Sequence, residues 1–141
     1  MIMKPFLHKI TVEFCHTDAA GIAHFSALMQ YAEQTEHAFL RSLGLTVFSR
    51  SSDSLTWPRV KVTAEFQSPA FFEDVLRLEL SVKRIGETSV TYLITISGPG
   101  GVVATCESVC VCCLRSSVSP GRLEKSPIPA DIRALLGEFL I

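Results

Sequence analysis

The sequence has few charged residues, and neither sign predominates. Asp, Glu, Lys and Arg make up 19% of its 141 residues, and the formal net charge at pH 7 is −1. There is no basic excess of the kind that favours binding to nucleic acid or to an anionic membrane. Long apolar runs are also missing, since no stretch approaches the roughly 20 residues of a transmembrane helix. We therefore predict no nucleic-acid partner and no membrane partner.

The first residues lack the features of an export signal. Residues 1–6 contain neither a long apolar segment nor a small-residue cleavage site, so we expect a cytoplasmic protein. The length suits one domain, and the sequence has no internal repeat or linker, which predicts a single domain over residues 1–141. The hydrophobic fraction of 48% is high for a soluble monomer. This excess indicates that some of the apolar residues are buried in a subunit interface.

Cysteines are odd in number, five in all, and four of them lie close together at Cys106, Cys110, Cys112 and Cys113. Cys110 and Cys113 have Cys-x-x-Cys spacing, but redox and zinc pairs of this kind need a turn between the two thiols. Here the pair lies inside an apolar run that is typical of a strand. We predict that these cysteines are buried, reduced and structural.

The periodicity of apolar residues predicts one long helix and five strands. The predicted helix covers residues 25–43 and ends before Gly44, and a short second helix covers residues 130–139. The predicted strands cover residues 7–14, 59–67, 75–85, 88–97 and 102–114. Residues 45–56, with a turn at 51–54, and residues 115–125 are predicted to be loops. Because one long helix must cover the whole sheet, we predict an α+β fold with a five-stranded antiparallel sheet curled around it.

The first predicted strand is joined to the helix by a polar turn that contains Asp18. Free backbone N–H groups at a helix N-terminus stabilise anions and developing negative charge. The turn therefore combines a carboxylate with a site that favours negative charge. Since Asp before Gly21 is also typical of a turn that hydrogen-bonds to its own backbone, a purely structural role for Asp18 is the alternative.

Motifs along nearly the whole chain resemble those of 4-hydroxybenzoyl-CoA thioesterase-like hotdog proteins. The matching residues are Thr17-Asp18-Ala19-Ala20-Gly21-Ile22, His24-Phe25, Glu33, Glu36, Gly44, Pro58-Arg59-Val60, Ser68-Pro69, Asp74, Arg84-Ile85-Gly86, Ser89 and Ile128-Pro129. The resemblance implies a hotdog fold, acyl-CoA thioesterase activity without a cofactor, and assembly as a homodimer or a dimer of dimers (a homotetramer). The implied acyl group is a small aromatic or a short-to-medium chain, carried by CoA or by acyl-carrier protein.

The resemblance also implies roles for individual residues. Asp18 would attack the thioester carbonyl or activate water to do so, and the Phe25 backbone N–H would support the carbonyl oxygen. His24 would be an additional acid–base group. Residues implied in contacts with substrate or CoA are Gly21, Arg59, Lys83, Arg84 and Ser89, although a solvated position is the alternative for the three basic residues.

The sequence is also compatible with other catalytic groups and other activities. His16 and His24 are alternative acid–base groups, and a hotdog hydratase or dehydratase would use a histidine such as His24 as its main base. A second branch of hotdog thioesterases takes its carboxylate from the helix, which makes Glu33 and Glu36 candidates beside their interpretation as solvated or interface residues. A non-catalytic acyl-CoA-binding module is a further alternative. The spacing of the two histidines and Asp18 does not favour a metal site, and we expect no metal or redox cofactor.

Overall fold

The protein is described by a computed structural model that covers residues 4–47, 55–115 and 121–141. The elements in chain order are β1 (Phe6–Thr11), α1 (Phe25–Ser42), β2 (Leu55–Thr56), β3 (Arg59–Phe66), β4 (Val75–Ile85), β5 (Ser89–Gly98), β6 (Gly101–Val111), β7 (Cys113–Arg115), β8 (Leu123–Lys125) and α2 (Ala130–Gly137). The turn predicted at residues 51–54 lies outside the described residues. None of the described helices is long and apolar enough to span a bilayer.

The main sheet is antiparallel, has five strands in the order β1-β4-β5-β6-β3, and packs against α1. From α1, Leu28, Tyr31 and Phe39 enter the core. The sheet contributes alternate residues of β4 and β5, all at most 2% exposed: Leu76, Leu78, Leu80, Val82, Val90, Tyr92, Ile94 and Ile96. This arrangement confirms the predicted α+β hotdog fold, with α1 beginning and ending within a residue of its predicted bounds.

Two predicted elements differ from the structure. The strand predicted over residues 7–14 ends at Thr11, and a short 3-10 helix follows over Phe14–His16, which leaves Phe14 73% exposed instead of buried. The strand predicted over residues 102–114 is interrupted at Cys112, where β7 leaves the main sheet and pairs with β2 and β8. Segments predicted to be loops thus form part of a second, three-stranded sheet, because backbone pairing can recruit residues that lack a strand-like side-chain pattern.

Strand β3 lies at one edge of the main sheet and has an irregular start. Val62 and Phe66 pair with Ser108 and Ala104, which lie on the inner face of β6. They share that face but are 44% and 51% exposed, because α1 does not extend over the edge strand. The pairing register shifts between Arg59 and Lys61. This bulge places Arg59 on the inner face, so the alternative of a solvated position is wrong for this residue.

Candidate active site

The loop before α1 is a tight turn held by its own backbone. The Asp18 N–H donates to the Ile22 carbonyl at 2.8 Å, and the Gly21 N–H donates to the Asp18 carbonyl at 3.0 Å. Gly21 has a φ of 81°, a conformation that costs glycine little. The Ala23 N–H donates to the Ala70 carbonyl at 2.7 Å and ties the loop to the segment after β3. These bonds fix the position of Asp18 relative to the sheet.

The Asp18 side chain is half-buried, and its two oxygens have different surroundings. Oδ1 accepts the Ala20 N–H at 2.8 Å and lies 3.5 Å from the Ile22 nitrogen, a long contact. The self-bonded turn proposed as the structural role of Asp18 is therefore present. Oδ2 has no hydrogen-bond partner among the residues that the structure describes. One oxygen anchors the carboxylate, and the other is available for chemistry.

Helix α1 begins at Phe25 with His24 as its N-cap. The N–H groups of Ala27 and Leu28 both donate to the His24 carbonyl, at 2.9 and 3.2 Å. The Ser26 N–H donates to His24 Nδ1 at 3.1 Å. Within the described part of the chain, the Phe25 N–H is left without an acceptor. An unpaired donor at a helix N-terminus is suited to an oxyanion.

An apolar cavity of about 550 Å³ separates the start of α1 from the segment that follows β3. Asp18, His24 and Phe25 line one side together with Leu28, and residues 66–70 line the other. The rings of Phe25 and Phe66 meet edge to face, with centroids 6.5 Å apart. The loop thus presents its carboxylate to an apolar space beside the start of the helix, and Gly21 belongs to the same turn.

The two histidines of the loop are held by different partners. His24 Nδ1 also lies 2.8 Å from Ser26 Oγ, and its acceptance of the Ser26 N–H requires an unprotonated Nδ1. Neutral His24 therefore carries its proton on Nε2 and presents a donor rather than a base there. His16 Nδ1 lies 2.7 Å from the hydroxyl of buried Tyr31, a contact that fastens the loop to α1.

Glu36 of α1 is buried, contrary to the prediction of a solvated or interface residue. It forms an ion pair with Arg59, whose Nε donates to Ser108 Oγ at 3.0 Å. Burial raises the pKa of Glu36, although the positive charge of Arg59 acts in the opposite direction. Glu33 is more exposed, and its carboxylate lies 3.6 Å from Arg59 Nη1. The helix position of Glu36 was clear in the sequence, but its partner depends on the bulge in β3.

The other predicted CoA contacts are not gathered at the Asp18 loop. Lys83 forms an ion pair with Glu107 across the outer face of the sheet. Arg84 and Ser89 flank the hairpin between β4 and β5, where the Gly86 N–H donates to the Ser89 carbonyl at 2.7 Å. The structure therefore brings together Asp18, Gly21, His24 and Phe25 but leaves Arg59, Lys83, Arg84 and Ser89 elsewhere.

Sequence reasoning missed a basic residue at that hairpin. Arg133 of α2 donates from Nη2 to the carbonyls of Gly86 and Glu87, at 2.8 and 3.3 Å. A second positive charge beside the hairpin, in addition to that of Arg84, therefore comes from a distant part of the chain. No local pattern indicates it, because the contact depends on how α2 packs.

The clustered cysteines are buried and unpaired, as predicted. Burial raises the pKa of the thiols of Cys106, Cys110 and Cys112 to about 11. Such thiols are protonated at neutral pH and are poor nucleophiles. Among the described residues, no group of three His, Cys, Asp or Glu side chains is arranged to hold a metal ion.

Comparison with known proteins identifies the family. The family model of the thioesterase-like superfamily matches residues 12–136. The chain belongs to the thioesterase-like superfamily. A similar relative is the 1,4-dihydroxy-2-naphthoyl-CoA hydrolase of Synechococcus elongatus, 27% identical over 133 residues that cover 93% of this chain and 94% of the relative. The corresponding enzyme of Acaryochloris marina is 27% identical over 133 residues, with coverage of 89% and 91%.

Solved structures of superfamily members share the fold. A 1,4-dihydroxy-2-naphthoyl-CoA thioesterase from Synechocystis superposes with a TM-score of 0.82 at 22% identity, covering 94% of this chain and 95% of the other. A 4-hydroxybenzoyl-CoA thioesterase variant complexed with 4-hydroxybenzoyl-CoA gives 0.81 at 22% identity, with coverage of 94% and 99%. Together with the family match, these similarities confirm the predicted family, the hotdog fold and the enzyme class, a thioester hydrolase.

Proposed function

We propose that the protein hydrolyses an acyl-CoA thioester to a carboxylic acid and free CoA, with Asp18 as nucleophile or general base. One observation carries the proposal. The partly free Asp18 carboxylate and the start of α1, with its unpaired Phe25 N–H, border the same apolar cavity. Thioester hydrolysis needs both an attacking or activating group and a donor for the carbonyl oxygen.

The Phe25 N–H would donate to the thioester carbonyl oxygen and stabilise the negative charge that develops on it. As a general base, Asp18 Oδ2 takes a proton from water while the water oxygen attacks the carbonyl carbon; the C–S bond then breaks, and CoA leaves as a thiolate that takes up a proton. As a nucleophile, Oδ2 attacks directly, CoA leaves as a thiolate that is then protonated, and water hydrolyses the resulting anhydride. In both routes the Ala20 N–H holds the other carboxylate oxygen in place.

His24 fits a supporting role in this reaction. Its Nδ1 accepts the Ser26 N–H, so neutral His24 offers a hydrogen-bond donor at Nε2. A hydratase that relies on His24 as its main base would have to break this cap. The geometry of His24 therefore favours the thioesterase over the hydratase.

The acyl group would occupy the cavity beside Leu28 and Phe66. Its lining is mainly apolar and includes two aromatic rings, which suits a small aromatic or a short-to-medium acyl group. The named relatives act on aromatic acyl-CoA thioesters, 1,4-dihydroxy-2-naphthoyl-CoA and 4-hydroxybenzoyl-CoA, and this supports the aromatic alternative. A homodimer, or a dimer of dimers, would close the side of the site that the edge strand β3 leaves open.

Release of free thiol across a panel of acyl-CoA and acyl-carrier-protein thioesters tests the proposal. We expect saturable hydrolysis of at least one aromatic or short-chain acyl-CoA by the purified protein. Tight acyl-CoA binding without turnover would instead identify a non-catalytic module. A change in enoyl-CoA absorbance without thiol release would identify a hydratase.

A further inference from the structure

The inner face of β3 and the exposed side of α1 form a groove that extends beyond the Asp18 loop. The cavity at Phe25 and Phe66 occupies one part of it. A second cavity, of about 220 Å³, follows along the same helix and strand and is lined by Met29 and Ala32 of α1 and by Val62 of β3. Both cavities lie between α1 and β3, so a long acyl group whose carbonyl lies at the Phe25 N–H would extend toward the second cavity.

Charged residues close this second cavity. Glu36 lies about 16 Å further along α1 than Phe25 at the helical rise of 1.5 Å per residue. Glu36 is only 3% exposed and lines the cavity together with its ion-pair partner Arg59 and with Ser108. The hydrogen bond from Arg59 Nε to Ser108 links the pair to β6. The apolar groove thus ends at a polar wall.

A structural role alone explains this wall poorly. The ion pair joins α1 to β3, but a buried ion pair contributes little net stability relative to apolar residues of similar volume. Apolar residues would also fill the cavity, whose remaining lining combines Gln30 and Glu33 with the apolar side chains of Met29, Ala32, Val62 and Cys106. A charged pair beside an apolar space mainly affects what enters that space, because apolar groups pressed against it deprive the charges of solvent.

We propose that Glu36, Arg59 and Ser108 form the distal wall of the acyl site and determine its specificity. The inference rests on the proposed thioesterase function and narrows its substrate class. The wall admits acyl groups that end short of it, compact aromatic groups among them. Long unbranched alkyl chains are rejected because their last methylenes would meet the charges.

The decisive experiment compares kcat/KM for a straight-chain series from butanoyl-CoA to octadecanoyl-CoA, with a naphthoyl-CoA as the compact aromatic substrate. For the wild type we expect kcat/KM to fall for chains long enough to reach Glu36. The double variant Glu36→Leu with Arg59→Met removes both charges of the buried pair, and Glu33, the other partner of Arg59, stays half exposed to solvent. It should raise the octadecanoyl-to-butanoyl ratio of kcat/KM at least about 10-fold. A folded double variant with the wild-type ratio would overturn the proposal.

A matched control removes the ion pair on the outer face of the sheet, Lys83→Met with Glu107→Leu, which should leave the ratio unchanged. If the control changes the ratio to the same extent, the effect is not specific to the groove and the proposal is wrong.

Val62→Phe supplies a second test at an exposed position, so it does not depend on the double variant folding. The added ring should reduce kcat/KM for the longest accepted substrate at least about 10-fold and leave butanoyl-CoA within about 2-fold. An unchanged chain-length profile would show that acyl groups do not reach the second cavity.

Failure of the proposed function and failure of the distal wall give different results. If the wild type hydrolyses no thioester at all, the proposed function fails as well. If the wild type hydrolyses thioesters but both variants keep its chain-length profile, only the distal wall is refuted.

Discussion

Asp18 Oδ1 accepts the Ala20 backbone N–H at 2.8 Å, so the carboxylate shapes its own turn and still has a second oxygen free of partners among the described residues. The structural role of Asp18 and its proposed catalytic role are therefore compatible. They differ in what each requires: the turn needs one acceptor oxygen, whereas the reaction needs the negative charge.

Asp18→Asn separates these two requirements. Asn keeps an acceptor for the Ala20 N–H but is neither a nucleophile nor a base, so kcat should fall at least about 10²-fold with little change in Tm. Asp74→Asn is the matched control, because Asp74 Oδ2 accepts the Phe71 N–H at 2.9 Å in another turn and does not line the cavity. Steady-state kinetics and melting curves of both variants decide the matter. A folded Asp18→Asn protein with more than about a tenth of the wild-type kcat would exclude the proposed role.

His24 should act through its capping acceptor rather than as a base. His24→Ala removes the acceptor for the Ser26 N–H and should cost about 1 kcal/mol of stability, or about 4 °C in Tm for a domain of this size. His24→Asn restores a capping oxygen and should recover most of the lost stability while kcat stays above about a tenth of the wild-type value. Loss of turnover in a stable His24→Asn protein would instead make His24 an essential catalytic group.

Thiol reactivity should separate the exposed cysteine from the buried cluster. At pH 8 we expect rapid alkylation of Cys15 alone, because the other four cysteines are buried and burial raises their thiol pKa values. Mass spectrometry of iodoacetamide-treated protein should find all five labelled only after denaturation. Cys110→Ser should lower Tm but preserve kcat. Rapid labelling of Cys110 in the native protein, or an inactive but stable Cys110→Ser variant, would contradict the structural role.

Association through β3 should make the protein at least a dimer. Light scattering at micromolar concentration is expected to give a multiple of the 15.5 kDa chain mass. Val60 is 61% exposed on this edge strand, so Val60→Glu should weaken association by placing a charge in the interface. Lys9→Glu on the opposite edge strand, β1, serves as the control. A monomeric wild type would refute the assembly, and dissociation by Lys9→Glu alone would move the interface to β1.

The sequence predicts those parts of the fold in which one face of an element is continuously buried. Helix α1 and strand β4 follow their apolar periodicity closely, and the predicted bounds of β4 agree with the structure. The loop from Asp18 to Phe25 could be predicted equally well from the sequence, because its turn residues and the helix start are adjacent in the chain.

Features that depend on tertiary contacts could not be predicted from the local sequence. Alternation places Arg59 in solvent, but the bulge after it turns its side chain to Glu36, more than twenty positions away in sequence. The small sheet joins β2, β7 and β8, of which β2 and β8 carry no distinct strand pattern. The Nδ1 cap of His24 and the contact of Arg133 with the hairpin likewise depend on side-chain placement rather than on local periodicity.

The bulge at the start of β3 also makes the proposed distal wall sensitive to strand register. Because side chains alternate along a strand, regular pairing of the same residues without the bulge would put Arg59 on the face of Lys61 and turn the guanidinium outward. Glu36 would then lose its partner without any change at its own position. Loss of a bulge in this edge strand would therefore change the proposed distal wall while the Asp18 loop keeps its sequence. A register shift at this point is a simple route by which a hotdog protein of this kind can change its substrate range.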